Sequence, residues 1–496
     1  MNYAFAESPS VRPFRPRDHS VLSPPLIGGM VALFEAVLSL LLAGGAYVFY
    51  LEGILNASQF PRYGAVSLFG TALIVVGNHF LGLYRPQALF GVREQAPRII
   101  LSVTIAAALI LLFGFLLQIT SEYSRGWAAI WFVGNQVVLL TFRSGLATWL
   151  TRQEVAGSLR REVVVIGTGP MGARLLRYLS TTAAHDVVVR GVFHESLHGS
   201  PEHGARELAG YPVLGPIDSL APHIRERGAC DVVLAVPMDE QRRFEDILRS
   251  LNMLPVDVYA PPGEILFEIA CRQPNLTMEY IAGLPMLQLL HRPLKGWNAV
   301  LKRAEDLVLV SILLSFFGPL MLFVALGVAL SSPGPVLFRQ KRFGFNNRPF
   351  NVLKFRTMYV DQGDASGQRR TVRGDPRVTP FGAFLRKTSL DELPQLINVL
   401  RGEMSIVGPR AHPVAMMAGD KLYHEAVGDY IARHRVRPGI TGLAQVSGSR
   451  GEIDSLEKGR RRVELDLRYI ENFSIWLDLK ILFRTAVCLI KDKNVY

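Results

Sequence analysis

The chain has 496 residues, 49% of them hydrophobic, with a positive mean hydropathy of +0.23. Apolar runs crowd the first third, which excludes a uniformly soluble chain, and the widely separated Cys230, Cys271 and Cys488 suggest neither a disulfide framework nor a zinc site. The formal charge of +12 fits nucleic acid in principle, but in a membrane protein adhesion to anionic headgroups explains it more simply, and phosphate-rich substrates are a third option.

After an N-terminal tail over 1–25, four apolar runs lie near residues 26–50, 64–84, 99–119 and 127–150. Each is about 20 residues or longer, enough to cross ~30 Å of hydrocarbon as a helix. No small-residue cleavage site followed by a polar chain marks a signal peptide. Arg12, Arg15 and Arg17 precede the first run, Arg85, Arg93 and Arg98 separate the second and third, and Arg152, Arg160 and Arg161 follow the fourth. The other two loops carry only Arg62 and Arg125. The positive-inside rule then places the N-terminus and everything after residue 151 in the cytoplasm, below a four-helix bundle over 26–152.

Next comes "REVVVIGTGPMGARLLRYL", where β-branched Val163 to Ile166 lead into Gly167-x-Gly169-x-x-Gly172 and a helical pattern. That is the strand–loop–helix setting of a dinucleotide-type phosphate loop. Strands over 187–193, 231–236 and 256–259 alternate with helical stretches, which reads as a Rossmann-like α/β domain over about 160–290 of nucleotide- or CoA-binding type. Glu195 sits where a ribose-binding acid belongs, yet the strand is expected to end at Phe193, displacing Glu195 into the loop. A ligand site and a scaffold retained for assembly or regulation both stay open. Membrane-anchored nucleotide-sugar dehydratases share such an architecture, but their Tyr-x-x-x-Lys pair is absent: no tyrosine here has a lysine four residues on.

A fifth apolar run covers 306–330, flanked by Lys295, Lys302 and Arg303 before it and by Arg339, Lys341, Arg342, Arg348, Lys354 and Arg356 after it. Positive charge on both sides asks both ends to stay in the cytoplasm. A re-entrant helix satisfies this if it bends near Gly318-Pro319, where proline removes a backbone hydrogen bond. A straight fifth span is the alternative.

In "RKTSLDELPQLINVL", Asp391 and Glu392 stand side by side. Ser389-x-x-Glu392 reads as a capping box, but Pro394 would then fall inside the helix. A helix opening at Pro394 and stopping at Gly402 avoids the clash and leaves both acids just ahead of a helix N-terminus, where anions are favoured.

The phrases "FRQKRFG", "FNVLKFRTM", "RVTPFGAFLRKTSLDELPQLINVLRGEMSIVGPR", "RVRPGITGLAQVSG" and "ELDLRYIENFSIWLDLKIL" closely resemble the monotopic phosphoglycosyl transferases. The match is to the large bacterial polyprenyl-phosphate sugar phosphotransferases that start exopolysaccharide and O-antigen synthesis, over about residues 300–496. The resemblance implies a C-terminal monotopic α/β catalytic domain with a re-entrant helix, in a multi-pass protein of the bacterial inner membrane. It implies transfer of hexose-1-phosphate from a UDP-sugar to undecaprenyl phosphate with release of UMP, glucose being the first expectation and galactose the next. Asp391 would be the nucleophile that forms an aspartyl phosphosugar, and Glu392 would help hold Mg²⁺, a hard ion suited to carboxylate oxygen. By the same matching, Lys354, Arg386, Arg410 and Arg437 would contact phosphates or nucleotide, and Asp466 matches a further family acid. Two departures stand out: Gly318 replaces the serine common before the bend proline, and Ala411 replaces the proline common after Gly-Pro-Arg. His412, two places past Arg410, reads as a packing or substrate-loop residue. The last helix, with Phe473, Trp476, Lys480 and Arg484, suits either the membrane interface or the domain core. Inner-membrane lipids are expected partners, a homodimer is compatible, and nucleic acid is not expected. A scaffold that kept the fold and lost activity is the non-catalytic alternative.

Overall fold

The computed structural model describes residues 24–54, 60–89, 91–155, 161–181, 187–195, 206–228, 230–236, 241–262, 277–360, 375–413, 417–418, 421–423, 427, 429–449 and 455–491. Cys271, Arg160 and the tail arginines 12, 15 and 17 lie outside them. The chain forms two compact units, one within His19–Arg160 and one containing Arg161–Tyr496.

The first unit holds four helices: α1 (Pro24–Ala46, prolonged by a wider turn over Tyr47–Glu52), α2 (Phe60–Phe80), α3 (Val92–Leu116) and α4 (Arg125–Val155). Among the described helices, those long and apolar enough to cross a membrane are Leu26–Glu52, Pro61–Phe80, Arg93–Leu116 and Trp297–Ser331. The fourth run of the sequence therefore forms a helix of spanning length that falls short in apolarity. The reason is a buried polar seam to which α4 contributes Asn135 and Arg143. Arg143 Nε donates to Glu35 Oε1 at 2.5 Å, and Asn78 and the Tyr84 hydroxyl donate to Glu35 Oε2 at 3.1 and 2.8 Å. Polar groups inside a bundle need such partners, since lipid supplies none.

The second unit opens with an eight-stranded sheet: β1 (Arg161–Ile166), β2 (Val187–His194), β3 (Glu207–Leu208), β4 (Tyr211–Pro216), β5 (Asp231–Leu234), β6 (Val258–Ala260), β7 (Thr277–Ile281) and β8 (Leu284–Leu290). Their order is β3-β4-β2-β1-β5-β6-β8-β7, with β4-β2-β1-β5-β6 parallel and antiparallel strands at both edges. Val163 to Ile166 are fully buried, as expected of a central strand covered on both faces by helices such as α5 (Pro170–Thr181). Between β1 and α5, Gly167 has φ +128°, and a Cβ there would lie 2.3 Å from the Ala235 carbonyl oxygen. A Cβ on Gly172 would meet the Gly167 carbonyl oxygen at 2.1 Å, whereas Gly169 borders open space. Glu195 lies just past the end of β2 and turns back onto this loop: Thr168 N and Oγ1 donate to Glu195 Oε2 at 3.0 and 3.3 Å. Cys230 is buried and its thiol is pushed up to about 12, mainly by burial, so it packs as an inert side chain.

Asp257 fastens the sheet to the segment that leads out of β8. It accepts from Gln288 Nε2 and from Arg292 N, both at 2.9 Å, and pairs with Lys295 at 3.1 Å. Helix α6 (Trp297–Ser331) comes next, and Gly318 and Pro319 lie within this single continuous helix rather than at a break. At its start the charges that flank the apolar run in sequence are absorbed into packing. Lys302 is buried against Asp306 at 3.2 Å and Asp478 at 2.6 Å, and Arg303 donates to the Val399 and Leu400 carbonyls at 2.7 and 2.8 Å.

Around α6 are arranged the hairpin β9 (Leu337–Phe343) and β10 (Pro349–Phe355), helices α7 (Pro380–Thr388) and α8 (Gln395–Arg401), and the short parallel pair β11 (Ser405–Val407) and β12 (Gly439–Thr441). Helices α9 (Leu456–Glu471) and α10 (Ile475–Lys491) close the chain. The core between them holds Val310, Val352, Leu396, Val399, Ile406, Tyr469 and Ile481. Helix α10 buries Asp478 and Ile481 in the core, while Trp476, Leu479 and Phe483 are exposed.

Candidate active site

Helix α7 starts cleanly, with Pro380 in its first turn and the Thr379 hydroxyl accepting from Gly382 N at 2.9 Å. It ends on Ser389, whose φ of +56° is a left-handed cap. Ser389 is thus the end of one helix and not the capping-box start of another. A single 3₁₀ turn, Leu390–Glu392, comes next, then Pro394 and α8, which stops at Gly402 with φ +78°. The start expected at Pro394 and the stop at Gly402 agree with this within a residue. Asp391 and Glu392 ride on a tight turn between two helices.

The two acids live in different surroundings. Glu392 Oε1 accepts from Lys354 Nζ at 2.8 Å and from Arg410 Nη2 at 2.6 Å, with Arg410 Nη1 3.3 Å from Oε2. Burial alone would raise Glu392, but Arg410 and Lys354 outweigh it and hold the carboxyl well below the usual range. Asp391 is 9% exposed and receives no hydrogen bond from any described residue. Burial pushes its carboxyl up, opposed by Lys354 and reinforced by the neighbouring Glu392 charge. One acid is saturated with cations, and the other is left open in the same field.

The hairpin delivers the cations by strand alternation. Facing pairs Arg342↔Phe350 and Phe338↔Lys354 put Arg342 and Lys354 on one face. Arg342 donates from Nη1 to the Ala411 carbonyl at 2.6 Å. Burial and then Arg410 push its guanidinium down to about 10, still cationic at neutral pH. Sequence reasoning passed over Arg342, although the two-residue period places it beside Lys354. Lys354 is pushed down by burial, with Glu392 opposing. Arg386, in the last turn of α7, donates to Thr357 Oγ1 at 2.9 Å and adds to the positive field on Asp391.

The Gly-Pro-Arg and Arg-Pro-Gly phrases prove to be one construction. Ser405 N donates to the Pro438 carbonyl, Gly439 N to Pro409 and Gly408 N to Thr441, each at 2.9 Å. A Cβ on Gly408 would lie 2.7 Å from the Arg437 carbonyl oxygen, so glycine is what lets the two segments touch. Arg437 is half-buried on this construction, within charge–charge range of Arg303.

Asp466 stands behind the site. It is 2% exposed and lies 2.7 Å from the buried Arg433 guanidinium, so its carboxylate faces an arginine and not an open pocket. His412 is buried among Arg433, Tyr423 and Tyr430, and burial with the Arg433 charge holds it well below its usual value, hence neutral. That supports packing as its role. Among the described residues no three His, Cys, Asp or Glu side chains are grouped to hold a metal. The adjacent carboxylates suit Mg²⁺ by donor type, since that ion takes one or two protein carboxylates and completes its shell with phosphate and water oxygens. On Glu392 it would share the carboxylate with Lys354 and Arg410.

Sequence comparison bears on the same residues. A family model described as bacterial sugar transferase matches residues 297–492, and one described as a CoA-binding domain matches 79–262. A UDP-glucose:undecaprenyl-phosphate glucose-1-phosphate transferase of Xanthomonas campestris pv. campestris is 36% identical over 78% of this chain and 79% of its own. The Escherichia coli K12 protein of that description is 38% identical over 75% of each chain, and an undecaprenyl-phosphate glucose phosphotransferase of Komagataeibacter xylinus is 42% identical over 68% of this chain and 60% of its own. With Asp391, the cation-bound Glu392 and the surrounding arginines all inside the matched region, the chain belongs to the bacterial sugar transferases and is a membrane enzyme of the polyprenyl-phosphate sugar phosphotransferase type.

Proposed function

We propose that the enzyme transfers glucose-1-phosphate from UDP-glucose to undecaprenyl phosphate and releases UMP, as the first membrane step of exopolysaccharide or O-antigen synthesis. The carrying observation is the contrast within the turn: no described residue donates to the Asp391 carboxylate, and its neighbour is locked to Lys354 and Arg410. An Asp391 carboxylate oxygen attacks the β-phosphorus, the bond from that phosphorus to the bridging oxygen breaks, and UMP leaves with the electron pair. A lipid phosphate oxygen then attacks the same phosphorus, and the acyl-phosphate bond breaks to restore Asp391. Arg410, Lys354, Arg386 and Arg342 supply fixed positive charge where the transferring phosphoryl group spreads its own, and Arg437 is assigned to the nucleotide. Mg²⁺ would neutralise diphosphate charge, with Glu392 as its protein ligand.

The remaining architecture supports this reading. Helix α6 has 35 residues, roughly 52 Å at 1.5 Å per residue, and runs unbroken through Gly318-Pro319; the re-entrant course rests on the positive charge that flanks it in the sequence and on the backbone hydrogen bond that Pro319 cannot make. That course keeps the catalytic domain, over about 300–496, on the cytoplasmic side of the inner membrane, where nucleotide sugars are made. The strand order β4-β2-β1-β5-β6 is that of a Rossmann-like sheet. Glu195 already occupies the Thr168 amide of its glycine loop, which suits a scaffold role as much as a ligand site. The test is UMP release from a panel of UDP-sugars in isolated membranes. UDP-glucose is expected to be preferred over UDP-galactose, and no UMP beyond an Asp391→Asn control sinks the transferase reading.

A further inference from the structure

Arg410 is held from behind as well as in front. Its side chain reaches Glu392, while its backbone carbonyl accepts from Arg433 Nη2 at 2.6 Å. Arg433 is itself fully buried, lies 2.7 Å from the Asp466 carboxylate, donates from Nη1 to His412 Nδ1, and stacks its guanidinium over the Tyr430 ring at 5.2 Å. One planar fork therefore grips two residues of the segment Arg410-Ala411-His412, and a carboxylate two-thirds of the way along α9 fixes the fork. The strand that leads into this segment, β11, is pinned too. Asp306 of α6 accepts from Ser405 Oγ at 2.8 Å and from Ile406 N at 3.0 Å.

We infer that Arg433, anchored by Asp466, is a positioning residue that aims Arg410 at Glu392, so that Asp466 serves the reaction without touching substrate. This rests on the proposed roles of Glu392 and Arg410. Chemistry explains why arginine is needed. Its guanidinium presents several donors in one rigid plane, whereas a lysine ammonium carries the same charge on a mobile stem and cannot serve Asp466, the Arg410 carbonyl and His412 together. A buried pair that only stabilised the fold would, when altered, lower stability but leave the kcat of the folded enzyme in place. A pair that sets the aim of Arg410 would lower that kcat.

The test uses the full-length protein in membranes, with UMP release as the readout. Arg433→Lys is expected to lower kcat by about ten- to a hundredfold while KM for UDP-glucose moves less than about threefold, the loss belonging to an interaction made in the transition state. In an Arg410→Lys background the same change is expected to cost less than about twofold more, because its route to the chemistry is already broken. Asp466→Asn carries the same two measurements if Arg433→Lys fails to accumulate. Equal losses in both backgrounds, or a loss carried by KM with kcat unmoved, overturn the inference. Failure of the transferase reading is separate and visible at once, as a wild-type enzyme with no UMP above the Asp391→Asn control.

Discussion

Two buried charge clusters in this molecule are built to opposite specifications. In the membrane bundle, Glu35 receives Arg143, Asn78 and Tyr84, and both of its oxygens are filled. In the catalytic domain, two adjacent acids face Lys354, Arg410, Arg386 and Arg342, and all the described hydrogen bonds to the pair go to Glu392. In the first cluster the carboxylate is filled and the paired charges balance. The second carries excess positive charge and one acid to which no described residue donates, the state that the proposed function asks of a site completed by anionic phosphates. The difference separates a charge that holds helices together from one that the proposed reaction leaves open for substrate.

The comparison breaks most sharply at Asp391. Asp391→Asn keeps the shape of the turn and removes the proposed nucleophile, so UMP formation should fall by roughly four orders of magnitude or more. Melting of the solubilised protein should stay at or above the wild-type temperature. Arg143→Met in the bundle should do the reverse. It strands Glu35 in a buried site and should cost about 3–5 kcal/mol of stability, read as a lowered melting temperature, and adding Glu35→Leu should restore most of it. If Arg143→Met instead abolishes UMP release in protein that is still folded, the bundle pair is more than structural.

Arg342→Gln tests whether the site's excess charge is used. Its guanidinium touches the Ala411 carbonyl and neither acid, so the fold should survive. A charged contact to phosphate is worth about 1.5–3 kcal/mol, and kcat/KM for the UDP-sugar should drop by about ten- to a hundredfold. An unchanged kcat/KM would show that Arg342 only braces the loop.

How much of the fold and site is legible in the sequence depends on what a linear pattern can carry. The Asp391-Glu392 pair, the Pro394 start and the Gly402 stop are readable because proline and glycine act on their own backbone. The central strand and the glycine loop are readable for the same local reason. The identity of Arg342 as a site residue is also within reach, since alternation along β9 puts it on the Lys354 face. Asp466 reads in sequence as a further family acid, and it faces Arg433, 33 positions earlier in the chain; the motif says that an acid matters but not which cation it meets. Lys302 and Arg303 read as flanking charge, and only tertiary packing shows them bound to Asp478 and to the end of α8. Length alone makes the fourth apolar run a span, and nothing in the linear pattern shows that its Arg143 is met by Glu35, 108 positions earlier.

The smallest effect expected at the site concerns stability, and its sign distinguishes the two neighbouring acids. Burial raises the folded-state pKa of Asp391 above its unfolded value, so ionising Asp391 weakens the fold. That cost is fully present above the folded pKa and vanishes as pH falls below the unfolded value of about 3.9. Asp391→Asn should therefore stabilise the protein near neutral pH, within the range of about 0.5–2 kcal/mol typical when a functional strain is removed, and the gain should fade toward pH 4. Glu392 behaves oppositely. Arg410 and Lys354 depress its folded pKa, so its contribution is present above the unfolded value of about 4.3 and is lost as pH falls through the lower folded one. Glu392→Gln should destabilise at neutral pH and approach wild-type stability in acid. Melting curves of both variants from pH 8 down to about pH 2 check the pair together: opposite signs at pH 7 that converge in acid support one open and one saturated carboxylate, whereas losses of equal sign would make the two acids electrostatically equivalent.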